Sequence, residues 1–157
     1  MNRIILLVED NSDDEALTLR AIRKQTKTAV LVTRDGAEAL DFLLGTGDYR
    51  GRDLSVVPSL ILLDLRLPKL NGLEVLRRIR EDEETHCIPV VVFTSSTEEH
   101  DIRASYRLGA NSYICKQVDF KKFSADLEQI ITYWFNLSRL PSLAPFTYIR
   151  EPSARGC

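Results

Sequence analysis

The chain has 157 residues, 44% hydrophobic and 28% charged, with a formal net charge of −2, the profile of one globular domain whose core needs no covalent staples. That charge gives no global reason to expect nucleic acid, which attracts a clearly basic chain. Cys87, Cys115 and Cys157 are odd in number and fit no metal spacing, so a disulfide framework or a zinc site is not expected and a reduced cytoplasmic setting is.

In chain order, Ile4 to Val8 (IILLV) predicts a strand. Its five apolar residues are too few for a signal peptide's apolar region or a membrane span, so no membrane association is expected. Ser12 to Lys24 predicts a helix with Ala16, Leu17, Leu19, Ala21 and Ile22 on its inner side. A strand over Ala29 to Thr33 and a short helix over Ala37 to Leu44 follow. The Gly- and Arg-rich stretch GTGDYRGRDLSVVP reads as a loop. Its glycines invite a nucleotide-binding reading, but the spacing is not G-x-G-x-x-G and the stretch follows a helix rather than a strand. Leu60 to Leu63 predicts a strand, and Asn71 to Arg80 a helix with Leu73, Val75, Leu76 and Ile79 at helical spacings. Strand Pro89 to Phe93, helix Thr97 to Leu108, strand Ser112 to Ile114 and helix Phe120 to about Leu137 complete the series. The EDEE run at 81–84 reads as a solvated helix end, and the sequon at Asn136 falls inside a helical pattern, where it is a chance match.

Five strand–helix pairs with continuously apolar strands imply a parallel sheet covered on both faces. Right-handed crossovers then make an open, doubly wound α/β fold, and such folds bind ligands outside the carboxyl ends of their strands. The residues at those ends share one chemistry. Glu9 and Asp10 follow the first strand, Asp64 the third, Thr94 the fourth and Lys116 the fifth. Converging carboxylates raise one another's pKa unless a cation is present, and a hard divalent ion such as Mg²⁺ answers that need with oxygen ligands. With a lysine and a hydroxyl beside it, the edge is suited to a phosphoryl group, and an aspartate can itself be the nucleophile. Asp13, Asp14 and Glu15 read only as an acidic first turn favoured by the helix dipole. Thr94 or Ser95 is also a candidate cap for the following helix, Tyr113 reads as a strand aromatic, and Cys115 reads as a packed strand thiol.

VEDN at 8–11, LLDLRLPKLNG at 62–72, VVFTSS at 91–96 and YICK at 113–116 resemble the receiver domain of two-component response regulators over roughly residues 3–137. The resemblance implies a five-stranded flavodoxin-like (βα)5 fold for a domain at 1–137, followed by a tail at 138–157. It also implies Asp64 as phosphoacceptor, and Asp10, Asp64 and the backbone carbonyl of Arg66 as Mg²⁺ ligands, with Glu9 acting through metal-bound water. Thr94 would be the switch hydroxyl, Tyr113 the aromatic that changes rotamer and Lys116 the cationic partner of the phosphate. A histidine kinase would donate the phosphoryl group to a protein that is not itself an enzyme. Gln117 departs from the pattern, because receivers usually carry proline after the lysine, often with a cis peptide bond. A cis bond to a non-proline costs about 2.5–4 kcal/mol, which points to a trans peptide here. That departure leaves open a receiver-like adaptor that signals without phosphorylation. An aspartate-nucleophile phosphatase is disfavoured, because such enzymes usually need a second aspartate two residues after the nucleophile, where this chain has Arg66.

The last helix carries Phe123, Leu127 and Ile130 for the core, with Tyr133, Trp134, Phe135 and Leu137 beyond them. Trp134 and Phe135 are assigned to a partner interface, where aromatics are favoured anchors. The tail is too short for a DNA-binding output domain, so output through protein contacts is expected. NGLEVLRRIRED, DIRASYRLGANSYI and DLEQIITYWFNLSRLP resemble the single-domain response regulators paired with phytochrome-type histidine kinases, which implies a homodimer built through the sheet edge and final helix.

Overall fold

The computed structural model describes residues 3–141, so the tail beyond 141, with Cys157, lies outside the described residues. Five strands, β1 (Ile4–Val8), β2 (Ala29–Thr33), β3 (Leu60–Leu63), β4 (Val90–Thr94) and β5 (Ser112–Cys115), alternate with five helices, α1 (Ser12–Gln25), α2 (Gly36–Leu44), α3 (Gly72–Glu81), α4 (Glu99–Arg107) and α5 (Phe120–Thr132). All strands are parallel, in the order β2-β1-β3-β4-β5. This is the flavodoxin-like order, whose switch point lies between β1 and β3.

The apolar strands face two ways. Leu6, Val8, Ile61, Leu63, Val90 and Val92 point to one face, where α2 and α3 supply Leu40, Leu43, Val75, Leu76 and Ile79. Ile5, Leu7, Leu60, Leu62, Val91 and Phe93 point to the other, where α1 and α5 supply Ile22, Phe123, Leu127 and Ile130. Successive strand residues alternate in direction, so a strand that reads as unbroken apolar sequence serves two cores at once. The central strands β1, β3 and β4 are buried, while β2 and β5 at the edges are only half-buried.

α1, α2, α3 and β5 shift by one residue at one or both ends from the sequence expectation, and three further elements differ for an identifiable reason. β4 begins at Val90 because Pro89 has no N–H to donate, although its carbonyl still accepts from the Ile61 amide at 2.9 Å. α4 begins at Glu99, two residues late, because Ser96 holds the preceding turn: its hydroxyl accepts from the Glu98 amide at 3.3 Å and donates to Asp101 at 2.6 Å. Neither Thr94 nor Ser95 caps this helix. α5 ends as an α-helix at Thr132 and continues as a wider π-helical turn over Tyr133–Leu137, closed by the Ser138 amide on the Tyr133 carbonyl at 2.7 Å. In that turn Trp134 and Phe135, assigned from sequence to an interface, are half-buried against the α1–α5 core, while Tyr133 and Leu137 are exposed.

The long α2–β3 connection is ordered by Arg52, a residue the sequence analysis did not single out. Its guanidinium stacks 4.2 Å from the Phe42 ring centre and donates to the carbonyls of Phe42, Leu43, Asp53 and Val56. Two of those carbonyls belong to the last turn of α2, where unsatisfied acceptors and the helix dipole favour a cation.

Candidate functional site

Parallel strands end together, so residues distant in sequence meet at the carboxyl edge. Thr94 is the last residue of β4; Asp64 and Lys116 each stand one residue past their strands, and Glu9 and Asp10 follow β1. The edge is held open by a close backbone approach at the start of α3. A Cβ on Gly72 would lie 2.3 Å from the Asp64 carbonyl oxygen, and the Gly72 amide donates to the Leu65 carbonyl at 2.9 Å. Only glycine admits α3 this close to the segment that carries Asp64. Asn71 caps the helix by accepting from the Glu74 amide at 3.0 Å.

Asp64 is 6% exposed and Glu9 1%, and buried carboxylates are tolerated only when paired. One Asp64 oxygen, Oδ1, accepts from the Thr94 hydroxyl at 2.8 Å and from the Arg66 amide at 3.1 Å. The other, Oδ2, accepts from Lys116 Nζ at 2.9 Å. Lys116 also donates to Glu9 Oε2 and, at 2.9 Å, to Asp14 Oδ2. Its side chain is 5% exposed. Burial alone would lower the ammonium's pKa, but the charge of Asp64 and the hydrogen bonds to Glu9 and Asp64 outweigh it and hold it above the usual lysine range. Burial dominates at Glu9 and lifts its carboxyl to about 7 despite the Lys116 contact.

Carboxylate oxygens of Glu9, Asp10 and Asp64 lie within 4.8 Å of one another. Asp10 is exposed and opens onto a cleft of about 460 Å³ bordered by Arg66, Pro68, Asn71 and Asp101. Counting Asp14, four carboxylates face one ammonium. Hard oxygen donors with an excess of negative charge fit a divalent cation.

The structure thus brings Glu9, Asp10, Asp64, Thr94 and Lys116 to one place, with Arg66 beside them. Tyr113 stands back from the carboxylates, its hydroxyl donating to the Ser96 carbonyl at 2.9 Å. The Lys116–Gln117 peptide is trans, since no cis peptide occurs among the described residues. Asp14 was missed. The available signal was its position four residues after Asp10, on the first turn of a helix whose N-terminus starts from the same edge.

This fold and edge define a class. Residues 5–128 match the family model of the response regulator receiver domain, and the chain belongs to that family, the phosphoryl-accepting proteins of two-component signalling. It is 38% identical to response regulator Rcp1 of Synechocystis over 141 residues, covering 89% of this chain and 94% of Rcp1. It is also 43% identical over 143 residues to the "Probable methanogenesis regulatory protein FilR2" of Methanothrix harundinacea, covering 90% and 89%. Among solved structures, the Mn²⁺-bound form of Rcp1 superposes with a TM-score of 0.82 at 38% identity, covering 88% of this chain and 99% of that one. The phosphorylated cyanobacterial phytochrome response regulator RcpA gives 0.85 at 39% identity, covering 90% and 100%. Receiver domains bind a divalent metal ion, and the acidic cluster above is the group of residues suited to that role. No helix among the described residues is long and apolar enough to cross a membrane.

Proposed function

We propose that Asp64 is the phosphoacceptor of a stand-alone response regulator whose donor is a phytochrome-type histidine kinase. The observation that carries the assignment is the convergence of the Thr94 hydroxyl, the Lys116 ammonium and the Arg66 amide on the two oxygens of Asp64. No other carboxylate of the edge is held by all three. Asp64 forms its bond to phosphorus as the P–N bond of the donor phosphohistidine breaks, and the imidazole leaves. Lys116 and Thr94 then face the phosphoryl oxygens they can stabilise by charge and hydrogen bonding. Asp10, Asp64 and the Arg66 carbonyl would hold Mg²⁺, with Glu9 beside them in the same acidic cluster. When bound, the ion offsets the charge of the carboxylates and of the incoming phosphoryl group. With Arg66 two residues after Asp64, the edge lacks the acid–base aspartate of a phosphatase, and the chain signals rather than turns over substrate.

The kinase assignment is supported by the likeness to RcpA. Phosphorylation adds roughly two negative charges, and Thr94 follows the phosphoryl group. Tyr113, already bonded to the Ser96 carbonyl, moves with the β4–α4 segment and changes the surface of α4, β5 and α5. Output is through protein contact, as a cytoplasmic homodimer that binds neither nucleic acid nor membrane. Incubation with Mg²⁺ and acetyl phosphate is expected to add one phosphoryl group by intact mass spectrometry. Equal labelling of Asp64→Asn would refute the assignment, and a Thr94→Ala variant with the full phosphorylation-linked change in sedimentation would refute the switch.

A further inference from the structure

We propose that Asp14, on the first turn of α1, is a positioning residue for Lys116 in phosphoryl acceptance. This rests on the reading of Asp64 as phosphoacceptor. An ammonium has three donors, and here all three are used, on Glu9, Asp14 and Asp64. Asp64 would take the phosphoryl group, and Glu9 belongs to the acidic cluster that would hold the divalent ion. Asp14 is the partner that neither claims. It therefore holds Lys116 in place while the other two contacts change.

The local chain explains how α1 reaches the edge. Asn11 caps the helix by accepting from the amides of Asp13 and Asp14, both at 3.0 Å. The Glu9 side chain accepts from the Asn11 amide at 3.1 Å. One continuous segment thus carries both Glu9 and Asp14 to the ammonium. The lysine also needs an external hold, because Gln117 and a trans peptide stand where a ring could have stiffened the turn after it. Asp14 is bonded to Lys116 at 2.9 Å while its side chain remains 31% exposed, so it can be altered without opening the core. Asp13 shares its turn and charge but is exposed and has no Lys116 contact, which makes it the matched control.

The test combines two readouts on the full chain. The first is the rate of phosphoryl acceptance from acetyl phosphate with Mg²⁺ in the wild type, Asp14→Ala, Asp13→Ala, Lys116→Met and the Asp14→Ala/Lys116→Met double variant. Loss of a partner that orients a metal ligand typically costs 10- to 100-fold in affinity or activity, and the low end of that range applies to a residue that orients Lys116. Asp14→Ala is expected to slow acceptance about tenfold, Asp13→Ala to leave it unchanged, and Asp14→Ala to add nothing once Lys116 is gone. Asp14→Asn, which keeps a carbonyl acceptor, is expected to recover part of the loss. The second readout is hydrogen exchange of the Lys116 ammonium by ¹⁵N NMR without metal or donor, expected to quicken about tenfold in Asp14→Ala. Equal slowing by Asp13→Ala, equal slowing in both Lys116 backgrounds, or an unchanged ammonium exchange rate each overturns the proposal. A wild type that takes no phosphoryl group while its ammonium exchange responds as expected would remove the phosphoacceptor reading and leave the Asp14–Lys116 tie standing.

Discussion

Replacing Lys116 by methionine removes the ammonium bonded to Glu9, Asp14 and Asp64 while keeping an unbranched apolar stem one atom shorter. Removing one partner of a buried ion pair costs about 3–5 kcal/mol, because the other charge is left uncompensated. Two features of this site reduce that figure. Asp14 is 31% exposed and recovers water, and Glu9, with its carboxyl lifted to about 7, escapes much of the penalty by taking a proton. Asp64, at 6% exposure, keeps hydrogen bonds from Thr94 and Arg66 but loses its counter-charge. The remaining cost is about 2–3 kcal/mol, or roughly 5–10 °C in Tm for a domain of this size. Mg²⁺ then has more to offset in the variant than in the wild type. A ligand in excess stabilises each folded protein by RT ln(1 + [L]/Kd), so at saturating Mg²⁺ the gap should close by about 1.4 kcal/mol for every tenfold by which the variant binds the ion more tightly than the wild type. Urea unfolding of both proteins at neutral pH, with EDTA and with Mg²⁺, measures the four stabilities. A variant as stable as the wild type in EDTA, or an equal Mg²⁺ increment in both proteins, would show that the carboxylates are not the reason Lys116 is buried.

Gly72→Ala places a Cβ against the Asp64 and Leu65 backbone, which can yield only by moving the loop that holds Asp64. A loss of about 3 kcal/mol, together with weakened Mg²⁺ binding by calorimetry, is expected, and unchanged metal affinity would contradict the role given to this glycine. Arg80→Met strips hydrogen bonds from the carbonyls of Gly109, His86 and Ile88 and from Asn111 Oδ1. Because part of that cluster is open to water, about 2 kcal/mol in urea unfolding is expected, without change in metal affinity. Asp35 caps α2 by accepting from the Glu38 amide at 2.7 Å and pairs with Lys69 at 3.1 Å. Desolvation would raise its carboxyl, but these contacts hold it below the usual 3.8. The depressed folded value means that its contribution is present above pH 3.8 and is lost as the pH falls through the folded pKa. Asp35→Ala should therefore cost about 1 kcal/mol near neutrality, and the difference should vanish in acid. A gap that persists at low pH would assign the loss to packing instead.

The bounds of β1, β2 and β3 coincide with those read from the sequence, because short apolar runs between turn residues can satisfy a two-faced parallel sheet in one register only. The strand ends were legible for the same reason: a charged residue directly after such a run marks where the core stops, which is how Glu9, Asp10, Asp64 and Lys116 could be grouped before any geometry. β4 and α4 were misplaced by one or two residues where a proline lacks a donor and where Ser96 takes the first turn. Those are hydrogen-bond decisions that periodicity does not record.

What the sequence by itself determined is the layered α/β architecture and the side chains that directly follow the strands at its carboxyl edge, since both follow from local patterns of burial and charge. Only the tertiary structure decided which of those side chains touch. Lys116 meets Asp14 across 102 positions of chain, and Arg80 reaches Gly109 and Asn111 across 29 and 31. Trp134 and Phe135 lie in the π-helical turn that extends α5 and rest half-buried against the α1–α5 core. These are long-range choices among several chemically acceptable partners. An acidic first turn looks the same in sequence whether it faces solvent or an ammonium, and the packing of α1 against α5 and the end of β5 makes the difference.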